Sequence, residues 1–253
     1  MKQLKIFAAI SLIIFLMAFS IRDNKKLTIW MIGDSTMSIK EKKYYPETGW
    51  GMPFANFWDS SVTIENRAKN GRSTKSFLKE NSWKPVLDNL KEGDYVFIQF
   101  GHNDEIPTKK NATTPIEFKD NLVKYVVETR SKKAIPVLFT SVARRKFDST
   151  GNLVSTHEEY AGITRAVAAE QKVVLIDLDV KSSAVLKEMG IENSIFLFNH
   201  LKPGQHPNYP EGKMDDTHFS ELGARRMAEL ALAEIRILLP DLATRITKPV
   251  AKK

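Results

Sequence analysis

Residues 27–35 read LTIWMIGDS, and this stretch decides the fold. Leu27–Ile32 is a short apolar run that ends at Gly33 and reads as a buried strand, with Asp34 and Ser35 following at once. Its hydrophobicity is continuous rather than alternating, as in strands covered on both faces of a parallel sheet. Similar runs recur at Tyr95–Phe100 (YVFIQF), Ile135–Thr140 (IPVLFT) and Val173–Leu178, with a shorter candidate at Val62–Ile64. Helical patterns lie between and after them. One begins at Pro115 and carries Phe118, Leu122, Tyr125 and Val126 on one face. A second covers Glu158–Glu170, and a third covers Ser220–Leu239, opened by Ser220 and closed before Pro240. Strands alternating with helices predict an α/β domain, a three-layer α/β/α sandwich around a central parallel sheet.

Two stretches do not fit that alternation. Lys146–Ser155 contains Asp148–Gly151 and reads as a loop or small hairpin. Asn199–Thr217 holds three prolines, two glycines, His200 and His206 with little periodicity. A long polar loop in a compact domain is more often functional than structural.

A chain of 253 residues accommodates one sizeable domain with a buried core. Hydrophobic residues at 42% and charged residues at 27% exclude a disordered chain. The net charge of +8 is concentrated at the ends: Lys2, Lys5, Arg22, Lys25 and Lys26 at the start, Lys248, Lys252 and Lys253 at the finish. The middle has no basic helix and no interleaving of basic and aromatic residues, so nucleic acid is not an expected partner. An acidic polymer remains compatible with the charge.

Lys2 and Lys5 precede an apolar run from Ile6 to Phe19, with Ala18 and Ser20 spaced for cleavage. That order predicts a signal peptide over residues 1–20 and a secreted or periplasmic protein with no stable membrane insertion after cleavage. The run falls short of the roughly 20 apolar residues of a spanning helix, and an uncleaved anchor is the alternative. The absence of cysteine excludes a lipoprotein anchor, disulfides, metal thiolates and a cysteine nucleophile. Export without disulfides suits a bacterial periplasm.

Four short blocks carry chemistry. Ser35 leaves the C-terminal edge of the first strand, where parallel sheets bind ligands, and its N–H is suited to a developing oxyanion. In Asp215-Asp216-Thr217-His218, an aspartate three residues before a histidine can orient the ring through Nδ1–H and leave Nε2 to accept a serine proton. Gly101-His102-Asn103-Asp104 follows the third strand and offers an amide donor; Asn70-Gly71-Arg72-Ser73 follows the second and offers an unobstructed N–H. Each block alone reads equally as an ordinary turn or cap. A parallel sheet brings three of them to one edge, and their conjunction carries the reading.

These blocks resemble the SGNH (GDSL-type) hydrolases in identity, order and spacing over nearly the whole chain after the signal segment. Ile32–Ser38 (IGDSTMS), Asn70–Ser76 (NGRSTKS), Gln99–Asp104 (QFGHND) and Asp216–Ala224 (DTHFSELGA) are similar to the rhamnogalacturonan acetylesterase branch. The resemblance implies a flavodoxin-like fold and a serine esterase that removes acetyl groups from a pectic polysaccharide. It implies Ser35 as nucleophile, His218 as base and Asp215 as orienting acid. The oxyanion donors would be the N–H groups of Ser35 and Gly71 and the Asn103 amide. Asp216 competes with Asp215 for the acid role; the family spacing selects Asp215. The expected organisation is signal 1–20, linker 21–26, hydrolase domain 27–246 and tail 247–253.

Arg144 and Arg145 follow the fourth strand at the same edge and read either as ligands for galacturonate carboxylates or as a solvated pair. Trp50 and Trp83 are expected in the core rather than stacked on sugars, Met31 and Met37 as core filling, and His102 as a shaping residue. His200, His206 and His218 lack the spacing of a zinc site, so neither metal nor cofactor is expected. A monomer acting on an acetylated polysaccharide or oligosaccharide is the leading reading. An SGNH esterase or lipase for other acyl esters, marked by an apolar acyl tunnel, is the alternative.

Overall fold

The computed structural model describes residues 26–247. The expected signal segment, the linker before Lys26 and the tail beyond Thr247 lie outside the described residues. Five strands form one sheet: β1 (Leu27–Gly33), β2 (Val62–Asn66), β3 (Tyr95–Gln99), β4 (Ile135–Phe139) and β5 (Val174–Ile176). Their order is β2-β1-β3-β4-β5 and every pairing is parallel. This is the flavodoxin-like arrangement, with the chain reversing its direction of travel across the sheet between β1 and β3.

Eight helices accompany the sheet among the described residues: α1 (Gly51–Phe54), α2 (Thr74–Lys79), α3 (Lys84–Asn89), α4 (Pro115–Ser131), α5 (Glu158–Gln171), α6 (Leu178–Asn193), α7 (Glu221–Leu238) and α8 (Pro240–Ala243). Successive strand residues face opposite sides, and two apolar layers follow from that. Ile29, Met31, Phe97 and Phe139 join Trp50, Phe54 and the Met227, Ala231 and Ile235 stripe of α7. Trp30, Ile32, Val96, Ile98 and Leu138 meet Phe77, Trp83 and the Phe118, Leu122, Tyr125 and Val126 face of α4. Trp50, Met31 and Met37 in the first layer and Trp83 in the second are therefore core residues, as expected.

Caps set the helix ends that matter for the site. Ser73 opens α2 and Thr114 opens α4 with reciprocal capping boxes, and Ser220 opens α7 by accepting from the Gly223 N–H. Such caps stabilise a helix by about 1 kcal/mol each.

The differences from the sequence-based expectation have local causes. β5 ends at Ile176 because Asp177 caps α6, and Leu178 already belongs to that helix. α6 itself shows no apolar stripe in the sequence: Leu178, Val185 and Leu186 are buried, while Val180 is 53% exposed. Gly190, at φ 69°, also breaks its regularity. The Lys146–Ser155 segment is a small hairpin, closed by the Phe147–Leu153 bridge. Asn199–Thr217 folds into a longer one through Leu201–Lys213 and His206–Tyr209.

One buried side chain fastens the strand ends beneath the site. Gln99 Oε1 accepts from Trp50 Nε1 at 2.8 Å and Thr36 Oγ1 at 3.4 Å, while its Nε2 donates to the Thr140 carbonyl at 3.3 Å. Gln99→Met keeps the volume but orphans the buried indole N–H, and is expected to destabilise the protein by about 1–3 kcal/mol, read as a lower urea midpoint.

Candidate active site

Gly33 and Gln99 are the last registered pair of β1 and β3. Two residues beyond Gly33 the chain turns tightly. The Asp34 carbonyl accepts from the N–H of Met37 and Ser38, and its carboxylate accepts from the Thr36 N–H and hydroxyl. This turn places Ser35, only 7% exposed, at the C-terminal edge of the sheet.

Ser35 Oγ lies 2.8 Å from His218 Nε2, and His218 Nδ1 lies 2.9 Å from Asp215 Oδ2. A carboxylate only accepts, so Nδ1 carries the ring proton and Nε2 is left to accept from the serine hydroxyl. The other Asp215 oxygen accepts from the N–H of Thr217 and His218 at 2.9 Å each. Burial alone would raise this carboxyl, but its bond to the His218 ring, the ring's charge and these two N–H groups outweigh it and hold the group well below the ordinary carboxylate range. The two aspartates differ in geometry: Asp215 meets the His218 ring, whereas Asp216 bonds His200 Nε2 at 2.8 Å and Arg145 at 2.9 Å. The His218 carbonyl accepts from Asn199 N–H at 2.8 Å and the Phe219 carbonyl from Thr48 N–H at 3.0 Å, which fixes this segment between two neighbours.

Gly71 and Asn103 line the same cavity as Ser35 and His218. Gly71 has φ 75°, and a Cβ there would meet no atom within 4 Å, so the space beside it is open to a ligand. Neither the Ser35 nor the Gly71 N–H is given to a protein acceptor among the described residues. The Asn103 amide is held at both ends: Oδ1 accepts from Lys109 Nζ at 2.6 Å and one Nδ2–H goes to the Arg72 carbonyl at 3.0 Å. Its second Nδ2–H remains for a ligand. The next residue, Asp104, is fully buried and accepts from the Thr74 N–H at 2.9 Å, tying the turn after β3 to the start of α2.

The cavity measures about 740 Å³ and is walled on one side by Tyr209 and Lys213 of the 199–217 hairpin. Lys43, Lys109, Arg144 and Lys213 place four cations around it. The two arginines part ways. Arg144 lines the cavity and braces its floor, donating to Thr217 Oγ1 at 2.7 Å and the His102 carbonyl at 3.2 Å. Arg145 is turned away from the cavity into bonds with Asp216, Ser194 and the Ile191 carbonyl, so of the two only Arg144 lines it. His102 is buried 3.4 Å from Asp34 and packs on the His157 ring. Burial, with His157 and Arg144 nearby, pulls its pKa down to about 4 against Asp34, so it is a neutral ring at pH 7.

Sequence reasoning passed over Lys40 and Glu47, a buried pair at 2.7 Å beneath Ser35. Their charged neighbours Glu41, Lys42 and Lys43 make the stretch look like solvated surface. Glu47, Asp215 and His218 bring one ligand-type atom each within 4.8 Å. A metal does not fit them as arranged, because both His218 nitrogens are engaged and Glu47 already pairs with an ammonium.

Residues 31–226 match the model of the GDSL-like Lipase/Acylhydrolase family. The chain is 39% identical over 217 residues to rhamnogalacturonan acetylesterase RhgT of Bacillus subtilis, covering 85% of this chain and 92% of that protein. It is 33% identical to the probable rhamnogalacturonan acetylesterase YesY of the same organism, covering 87% and 97%. Among solved structures, YxiM of Bacillus subtilis superposes with a TM-score of 0.72 at 28% identity, over 84% of this chain and 57% of that longer one. A catalytic mutant of the acetylxylan esterase Axe2 from Geobacillus stearothermophilus shares the fold, with a TM-score of 0.58 at 17% identity over 83% and 94%. The chain belongs to the GDSL-like lipase/acylhydrolase family, and its chemistry is the hydrolysis of carboxylic esters.

Proposed function

We propose that this chain is a serine esterase that removes O-acetyl groups from an acidic pectic polysaccharide of the rhamnogalacturonan type. The observation that carries the reading is the unbroken relay Ser35–His218–Asp215 beside an open cavity ringed by cations. The names of RhgT and YesY support the choice of polymer. An acyl tunnel would need apolar walls, and here the lining is polar or charged apart from the rings of Tyr44 and Tyr209.

In this mechanism His218 Nε2 takes the proton as Ser35 Oγ attacks the acetyl carbonyl carbon. Asp215 holds the ring tautomer and stabilises the imidazolium. The tetrahedral oxyanion is received by the N–H groups of Ser35 and Gly71 and the free Nδ2–H of Asn103; one such donor contributes a factor of about 10²–10³ in rate. His218 then returns the proton to the departing sugar hydroxyl and leaves acetyl-Ser35. Water, deprotonated by His218, attacks that ester and releases acetate, and the proton goes back to Ser35. Lys109 and Arg144 line the cavity and lend it positive charge for a uronate carboxylate beside the reacting sugar, Arg144 through a guanidinium also bound to Glu105 at 3.3 Å.

We also place the enzyme outside the cytoplasm, on the strength of the Lys2–Ser20 segment. Among the described residues no helix is long and apolar enough to cross a membrane.

Acetate release from acetylated rhamnogalacturonan is the direct test, with Ser35→Ala lowering kcat by about 10⁴–10⁶-fold. Release from a simple aryl acetate but not from the polymer would keep the relay and reject the substrate. Equal activity of wild type and variant on every ester would reject the relay. The pH profile of kcat/KM is expected to have one acid limb, because only a neutral imidazole accepts the serine proton; Asp215, held below the carboxylate range, stays ionised across it. A flat rate from pH 5 to pH 8 would contradict the base role. KM for an acidic oligosaccharide should rise severalfold from low salt to about 0.5 M salt while KM for an aryl acetate stays constant, because only the former uses screened charge.

A further inference from the structure

Lys40 is the most deeply placed cation near the nucleophile. Its side chain is 0% exposed and that of its partner Glu47 is 6% exposed. An ammonium has three N–H donors, and here each meets a different acceptor: Glu47 Oε1 at 2.7 Å, Asn70 Oδ1 at 2.8 Å and the backbone carbonyl of Ser35. Asn70 Oδ1 also accepts from Ser38 Oγ at 2.6 Å. One buried group thus grips the peptide of the proposed nucleophile and the residue immediately before Gly71.

Stability does not account for such a pair, since apolar residues of similar volume commonly replace buried ion pairs without loss. An apolar residue, however, offers no donor to the Ser35 carbonyl or to Asn70. Burial pulls the Lys40 ammonium below the ordinary lysine range, while Glu47, Asp34 and Asp215 pull the other way.

Glu47 also reaches the relay itself. Its carboxylate shares a 4.8 Å neighbourhood with ligand-type atoms of Asp215 and His218. Around His218 stand Asp215 on its own segment, Lys213 at 3.5 Å from Asp215, Glu47 with Lys40 behind it, and Arg144, bound to Thr217. Two uncompensated carboxylates beside an imidazole would favour its protonated form, which cannot act as a base. Lys40 cancels one of them.

We propose that the Lys40–Glu47 pair is a positioning element of the active site: Lys40 holds the Ser35 peptide and the Asn70–Gly71 turn in the arrangement that receives the oxyanion, and its charge balances Glu47 beside His218. This rests on the relay reading given above. The test is the pH dependence of kcat and KM on a neutral aryl acetate for the wild type, Lys40→Met, Glu47→Gln and the double variant, with Ser35→Ala as control. Lys40→Met is expected to lower kcat by roughly 10–100-fold, less than the roughly 10²–10³-fold cost of losing an oxyanion donor outright because the donors are displaced and not removed, with KM little changed. Its acid limb should move to higher pH by about one unit, because the ammonium that balances the carboxylate beside the ring is gone. Glu47→Gln should move the limb to lower pH, and the double variant should restore its position while kcat stays low. Limbs that stay put in all variants, or move in the same direction, overturn the proposal and leave the pair as packing. If Lys40→Met does not fold, Glu47→Gln alone decides by the sign of its shift. Wild-type hydrolysis that survives Ser35→Ala rejects the relay, and the proposal falls with it.

Discussion

Parallel pairing of β1 with both β2 and β3 is the constraint on which the rest depends. Because all three strands run the same way, the turns that leave them emerge at one edge, and the reversal of strand order between β1 and β3 opens a crevice there. Ser35 and Asn103 flank that crevice, following β1 and β3, and Gly71 reaches the same cavity from the end of β2. The fourth component, Asp215 and His218, comes from no strand. It is delivered by the segment before α7, whose Phe219 is buried and bridged to both Thr48 and Phe198. Packing of that one ring thus sets where the imidazole stands.

Polar side chains then remove the slack that packing leaves. Gln99 spans the ends of β1, β3 and β4, Asp104 ties the β3 turn to α2, and Arg144 ties the floor to Thr217. Each is buried or largely buried, where a hydrogen bond is strong and an unmet one is costly. The Asn103 amide illustrates the result. With Lys109 on its oxygen and the Arg72 carbonyl on one hydrogen, its orientation is decided before a ligand arrives, so in the proposed mechanism little reorganisation accompanies oxyanion formation.

What the sequence made legible follows the same division. The apolar runs of β1, β3 and β4 and the face of α4 were readable because each is covered on a defined side, and periodicity reports burial directly. The three-residue step from Asp215 to His218 was readable because it is local. Contacts between distant polar residues left no such trace. Lys40 and Glu47 sit in a stretch whose charges otherwise face water, and nothing in their spacing distinguishes a buried ammonium from an exposed one. Arg144 and Arg145 were indistinguishable as letters, yet successive side chains in an extended segment face opposite ways, so only one meets the cavity. α6 stayed hidden because its buried and exposed apolar residues are mixed around its circumference.

Charge at this site works at two depths, and the two have different physical consequences. At the mouth, Lys43 and Lys213 are partly or fully exposed and act through a screened field, which shapes encounter and affinity for an anion but hardly alters the reacting atoms. Beneath Ser35 the Lys40–Glu47 pair is almost wholly buried, with only the Glu47 carboxylate reaching the cavity, so its charges are weakly screened and act on the Ser35 backbone and the nearby imidazole. On the proposed function a polyanion calls for a cationic mouth, but the same cations, brought close to the imidazole, would oppose its protonation during the attack step. Asp215, bonded to Nδ1 of the ring, answers that. Glu47 brings its carboxylate within 4.8 Å of both, and Lys40, bonded to Ser35 and Asn70, limits how far that negative charge acts on His218.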